Sequence, residues 1–138
     1  MRLFRITRSR PPAILWFERL GLTGIATEIV QNILLFPRRS AKNGAGFEIA
    51  AAILVPLVLL ALLLLASRRA SRAARMALLL LVLGTIAAAV AGGTAAWWSD
   101  PPVLLGALVL LLDAAAITCA FLPSARSWFE SGPGPADA

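Results

Sequence analysis

The sequence predicts an all-α protein, a transmembrane antiparallel four-helix bundle, and three observations carry that expectation. Three long apolar runs and one shorter, more polar run fill nearly the whole chain, arginines cluster at their boundaries, and the runs are rich in Leu and Ala without strand-like alternation. Residues 49–66 and 76–98 hold no charge, residues 103–122 hold only Asp113, and residues 20–36 hold only Glu28. Each run is close to the roughly 20 helical residues needed to cross a hydrocarbon core. In lipid every backbone N–H and C=O must be satisfied within its own segment, so such runs cross as helices. A composition of 59 % hydrophobic and 14 % charged residues in 138 excludes a water-soluble globule and allows one domain.

The first helix is expected at about 14–36. Arg2, Arg5, Arg8 and Arg10 precede it as they would in a signal peptide, but the run continues into Gln31 and Asn32 and shows no small-residue cleavage pattern, so it reads as a retained helix. The second is expected at about 47–66, with Pro56 bending it and Glu48 at its start, where a carboxylate suits the positive end of the helix dipole. The third, at about 76–98, repeats small residues every fourth position at Gly84, Ala88, Gly92 and Ala96, a stripe suited to close approach by a neighbour, and Gly21 and Gly24 offer the same on the first helix. The fourth is expected at about 102–122, with Asp113 near its middle. Loops fall at 37–46, 67–75 and 99–102, where Pro, Gly, polar residues or arginines interrupt the apolar pattern. Residues 1–130 thus form one transmembrane domain, and residues 131–138, rich in Pro, Gly and Ala, read as a disordered tail.

Positive charge in short loops stays on the cytoplasmic side. With four helices both termini share a side, which holds Arg2, Arg5, Arg8, Arg10, Arg68, Arg69, Arg72, Arg75 and Arg126; the other side holds only Arg38, Arg39 and Lys42. This places both termini in the cytoplasm. Trp16 and Trp128 then fall at the inner interface and Trp97 and Trp98 at the outer one.

The net charge of +6 does not point to nucleic acid, because the cations flank apolar segments and form no basic helix face. Histidine is absent and Cys119 stands alone inside the fourth run, so no metal site, cofactor site or catalytic constellation is legible, and an enzyme is not expected. The functional leads are polar groups inside the membrane. Glu28 and Asn32 lie one turn apart on a polar face of the first helix. At about 1.5 Å per residue, Glu28 and Asp113 reach similar depths near the midplane on helices of opposite direction. Two carboxyl groups there, with no Lys, Arg or His inside the apolar runs 20–36, 49–66, 76–98 and 103–122, can share a proton or handle a cation. The alternative, to which the sequence gives more weight, is that each is a neutral acid hydrogen-bonded to Thr, Gln or Asn that fixes helix register. At the inner interface Glu18 and Arg126 are candidates for an ion pair, and Arg68, Arg69, Arg72 and Arg75 for contact with anionic headgroups.

At Phe17-Glu18, at residues 67–71 (Ser-Arg-Arg-Ala-Ser) and at residues 123–129 (Pro-Ser-Ala-Arg-Ser-Trp-Phe), the chain resembles a group of uncharacterised small four-helix membrane proteins of proteobacteria. The resemblance covers nearly the whole length and implies a bacterial inner-membrane protein with both termini inside. Residues 26–30 (Ala-Thr-Glu-Ile-Val) look like the glutamate-bearing first helix of small multidrug-resistance transporters, although the chain has no tyrosine for an aromatic cation cage. The leading functional expectation is a non-enzymatic accessory or interaction subunit, in contact with the bilayer and with a second copy or a larger membrane complex. The alternative is a small proton- or cation-coupled transporter or channel using Glu28 and Asp113.

Overall fold

The computed structural model describes residues 10–91 and 101–130, and within them the chain is an all-α bundle. Helix α1 covers Pro12–Asn43, α2 Ala45–Arg69, α3 Arg72–Ala91, α4 Pro101–Phe121 and the short α5 Pro123–Glu130. The first four are long and apolar enough to cross a membrane. Their outward faces are bare Leu, Ile and Val, among them Ile33, Leu57, Leu80, Val90 and Leu111. So wide an apolar surface belongs in lipid, and the chain is a multi-pass membrane protein. The tail at 131–138, the far end of the expected third helix with Gly92 and Ala96, and Trp97 and Trp98 lie outside the described residues.

Helix α1 opens with Pro12 at its first position, where the missing N–H removes nothing from the helical ladder. It does not stop at Pro37, as the sequence reading expected, but continues through it to Asn43. Proline removes one backbone bond but does not forbid a helix whose side chains find partners further on. Here Asn43 Nδ2 donates to Glu48 Oε1 at 2.6 Å and Arg39 Nη1 to Asn32 Oδ1 at 2.9 Å. The expected loop shrinks to Gly44, whose φ of 89° is a conformation for which glycine is suited. Glu48, in the first turn of α2 as expected, is buried and accepts from Asn43 Nδ2.

The second loop is equally short. Ala70 turns the chain in the left-handed region at φ 52°, Ser71 N–H donates to Leu65 O at 3.2 Å, and Ser71 Oγ accepts from Ala74 N–H at 3.2 Å to cap α3. Helix α5 was not expected. Proline at its first position starts it, and Ala125 and Phe129, one turn apart, are both buried.

Packing is uneven along the bundle. Helix α1 lies chiefly against α4 and next against α2, while α3 is held less closely by α2 and α4. Neighbours run antiparallel: Gly21 meets Leu63 near one end of the α1–α2 pair, and Asn43 meets Glu48 at the other. The densest core, with Ile14, Phe17, Leu63, Ala66, Ala120 and Phe129, sits at the end carrying the Ser67–Arg75 arginines. Toward the Gly44 end the helices part and leave a cavity.

Candidate functional site

Two glycines bring α1 and α4 close enough to build the site. A Cβ at Gly24 would lie 2.7 Å from Asp113 Oδ1, and one at Gly106 would lie 2.6 Å from Gln31 Nε2. The pairing is reciprocal. On each helix a glycine is followed two turns later by a polar residue, Gly24 by Gln31 and Gly106 by Asp113, and the antiparallel crossing sets each glycine against the other helix's polar side chain. Gln31 Nε2 also donates to Pro102 O at 3.2 Å, which ties the middle of α1 to the start of α4.

Glu28, Gln31, Asn32, Arg39 and Asp113 line one open cavity of about 620 Å³, walled otherwise by apolar side chains of all four long helices together with Thr85. Glu28 and Asn32 also face a smaller cavity of about 110 Å³ between α1 and α2, bounded by Arg39 and Glu48. Glu28 and Asp113, which the sequence puts at similar depths, both line the larger cavity. Both are half-buried, and among the described residues neither carboxylate has a hydrogen bond or an ion pair. The threonines expected to satisfy them are engaged elsewhere: Thr23, Thr27, Thr85 and Thr118 each donate to the carbonyl four residues back in their own helix.

Three expectations are corrected. Because α1 continues past Pro37, Arg39 is helical and reaches back to Asn32, so a guanidinium does share the cavity with the two acids. The described half of the small-residue stripe of α3 does not pack against the described residues: Gly84 and Ala88 are exposed, and a Cβ at Gly84 would meet nothing within 4 Å among them. Close approach falls on Gly21 and Gly24 of the first helix, as the sequence allowed, and on Gly106, since α1 rather than α3 is the central helix. Finally, Glu18 does not pair with Arg126. It accepts from Arg10 Nη1 at 2.8 Å and Arg68 Nη2 at 3.1 Å, while Arg126 Nε contacts Glu130 Oε1 at 3.2 Å across one turn of α5. Formation of α5 supplies Arg126 with a nearer acid on its own helix.

Among the described residues no group of three or more Asp, Glu, His or Cys could hold a metal ion. Cys119 is partly buried against the core. Comparison with known protein families, with curated proteins and with solved structures finds no match for this chain.

Proposed function

We propose that this chain is a small proton- or cation-coupled transporter or channel of the bacterial inner membrane, with both termini in the cytoplasm and the cavity between its helices as the binding site. One observation carries the reading: two carboxylates, Glu28 and Asp113, line a single cavity of about 620 Å³, and among the described residues neither has a hydrogen bond or an ion pair. An acid used only to fix helix register would be hydrogen-bonded, because a polar group left unpaired in lipid is unfavourable and intramembrane ionisable residues ordinarily serve a pathway or a ligand. A cation or a proton is the guest such a pair takes. The mostly apolar walls suit a guest with a hydrocarbon part, and Gln31 and Asn32 add neutral polar contacts. The charge asymmetry of the loops supports the orientation, and the resemblance to small proteobacterial membrane proteins supports the location.

The test is flux in proteoliposomes. Wild-type protein is expected to carry a small organic or inorganic cation down a proton gradient, and Glu28→Gln and Asp113→Asn, which keep shape but remove the charge, are each expected to abolish it. Retained flux in both variants removes the acidic pair from the reading.

The second reading, a non-enzymatic accessory or interaction subunit, is favoured by a different observation. Gly84 and Ala88 are exposed among the described residues, and a Cβ at Gly84 would meet nothing there, a surface on which a helix of a second copy or of another membrane protein can lie closely.

A further inference from the structure

At the opposite end of the bundle from Gly44, where α3 begins and α5 ends, a second cavity of about 480 Å³ has Arg72, Arg75, Arg126, Phe121, Phe129 and Glu130 in its walls. Arg75 is the unusual member. Its guanidinium carbon lies 4.4 Å from the ring centroid of Phe121 and 4.4 Å from that of Phe129, so two rings hold the cation. Ring contact uses the charge and leaves the N–H groups free for acceptors. Arg75 Nε is buried without a hydrogen-bond partner, and no described residue forms an ion pair with Arg75.

The other two arginines frame it. Arg72 Nε donates to Phe129 O at 2.9 Å and Arg72 Nη2 to Glu130 O at 3.3 Å, which satisfies the carbonyl end of α5 and fixes that helix beside Arg75. Arg126 contacts Glu130 in an exposed pair. Three guanidinium groups thus surround one cavity with one carboxylate among them. Arg68, by contrast, is tied to Glu18, and Arg69 is exposed outside this cavity.

We propose that this cavity binds a phosphate group, with Arg75 as its central donor and Arg72 and Arg126 supplying further positive charge. The planar fork of a guanidinium fits phosphate oxygens two at a time, and an arginine already held by two rings gives up little side-chain freedom on binding. The phosphate belongs either to an anionic phospholipid, reached from the bilayer along the half-exposed Phe121, or to a soluble phosphate compound reached from water. The site is separate from the Glu28–Asp113 cavity, and its test is independent of transport.

The experiment uses the full chain in mild detergent, with binding read by native mass spectrometry and by thermal unfolding. The probes are phosphatidylglycerol, phosphatidylcholine and inorganic phosphate. Phosphatidylglycerol is expected to bind at least about fivefold more tightly than phosphatidylcholine, the scale set by a single arginine near an anionic surface. Arg75→Gln is expected to erase that preference, whereas Arg69→Gln, which removes the same charge outside the cavity, keeps it. Protection by millimolar inorganic phosphate with no preference between the lipids supports the site and assigns it to a soluble ligand. Equal loss in Arg69→Gln and Arg75→Gln, or no response to either anionic probe, overturns the proposal. Should Arg75→Gln not fold, Phe121→Leu leaves every charge in place and removes one of the two rings; unchanged phosphatidylglycerol preference in that variant also overturns it.

Discussion

Asp113 and Gly24 meet at a point of α1–α4 contact that has no room for a methyl group, since a Cβ on residue 24 would stand 2.7 Å from Asp113 Oδ1. An intramembrane carboxylate is therefore positioned by the absence of a side chain opposite it. The same relation holds between Gln31 and Gly106. These two contacts lead to the first prediction.

Gly24→Ala and Gly106→Ala are each expected to lower stability in detergent by no more than about 1 kcal/mol, because the atom displaced is the flexible end of Asp113 or Gln31 and alanine regains helix propensity. Thermal unfolding measures it. In the second case, pairing Gly106→Ala with Gln31→Ala removes the collision, so the double variant is expected to be more stable than the sum of the two single effects. Strict additivity would show that the contact does not determine the helix spacing.

Small residues on α3 are expected to behave differently from those on α1. Gly84→Leu enters open space and gains helix propensity of under about 1 kcal/mol, so the unfolding temperature of the monomer should hold or rise slightly. Gly21→Leu drives into Leu63, whose Cδ1 would stand 2.7 Å from a Cβ at that position, and should unfold the protein earlier. If Gly84→Leu instead lowers stability only where the wild type is oligomeric by light scattering, Gly84 lies at an interface between copies.

The two ends of the Arg10–Glu18–Arg68 cluster bury their shared acid, and the α5 pair does not. Glu18 has a side chain 12 % exposed and two guanidinium partners, so Glu18→Gln is expected to destabilise by about 1 to 3 kcal/mol. Glu130→Gln breaks a pair whose members are 78 % and 60 % exposed, and should change the unfolding temperature very little. Equal effects would mean that solvent screens both pairs alike.

Orientation is open to chemical labelling because Cys119 is the chain's single cysteine. In a Cys119→Ala background within intact cells, Lys42→Cys is expected to react with a membrane-impermeant maleimide, and Arg69→Cys only after the membrane is permeabilised. The reverse pattern would invert the topology.

Four spans were legible because lipid imposes one dominant demand, an uninterrupted apolar helix, and a sequence displays that openly in 49–66, 76–98 and 103–122. Helix ends were less so. Pro37 and the Ser67–Arg75 segment look like loops by composition, yet side-chain bonds from Arg39, Asn43 and Ser71 carry helix to within one or two residues of each turn. Glu28, Asn32 and Asp113 were found because charge and amide groups inside an apolar run stand out. Gly106 and the pairing of Glu18 were not found, for they depend on which helix lies central. A stripe of small residues signals that a face permits close approach but does not name its neighbour, so Gly84 and Ala88 stood out in the sequence beside Gly21 and Gly24, and only the α1 pair is packed. The reciprocal spacing of Gly24 and Gln31 with Gly106 and Asp113 was present in the sequence and becomes readable once antiparallel pairing of the first and fourth helices is assumed.

The uneven core has a mechanical consequence. Pinned where Phe17, Ala66 and Phe129 interlock, the α1–α2 hairpin acts as a lever against α4, its far end at Gly44. Parting the helices there exposes mainly Leu and Val, which acyl chains cover as readily as another helix does, so the apolar walls offer little resistance to widening. What resists is the polar seam between helices, where Gln31 of α1 donates to Pro102 O of α4 and Asn43 of α1 to Glu48 of α2. The width of the opening is thus governed by two hydrogen bonds rather than by fitted hydrocarbon, and a guest is sorted by what it can offer Glu28, Gln31, Asn32 and Asp113 more than by its outline.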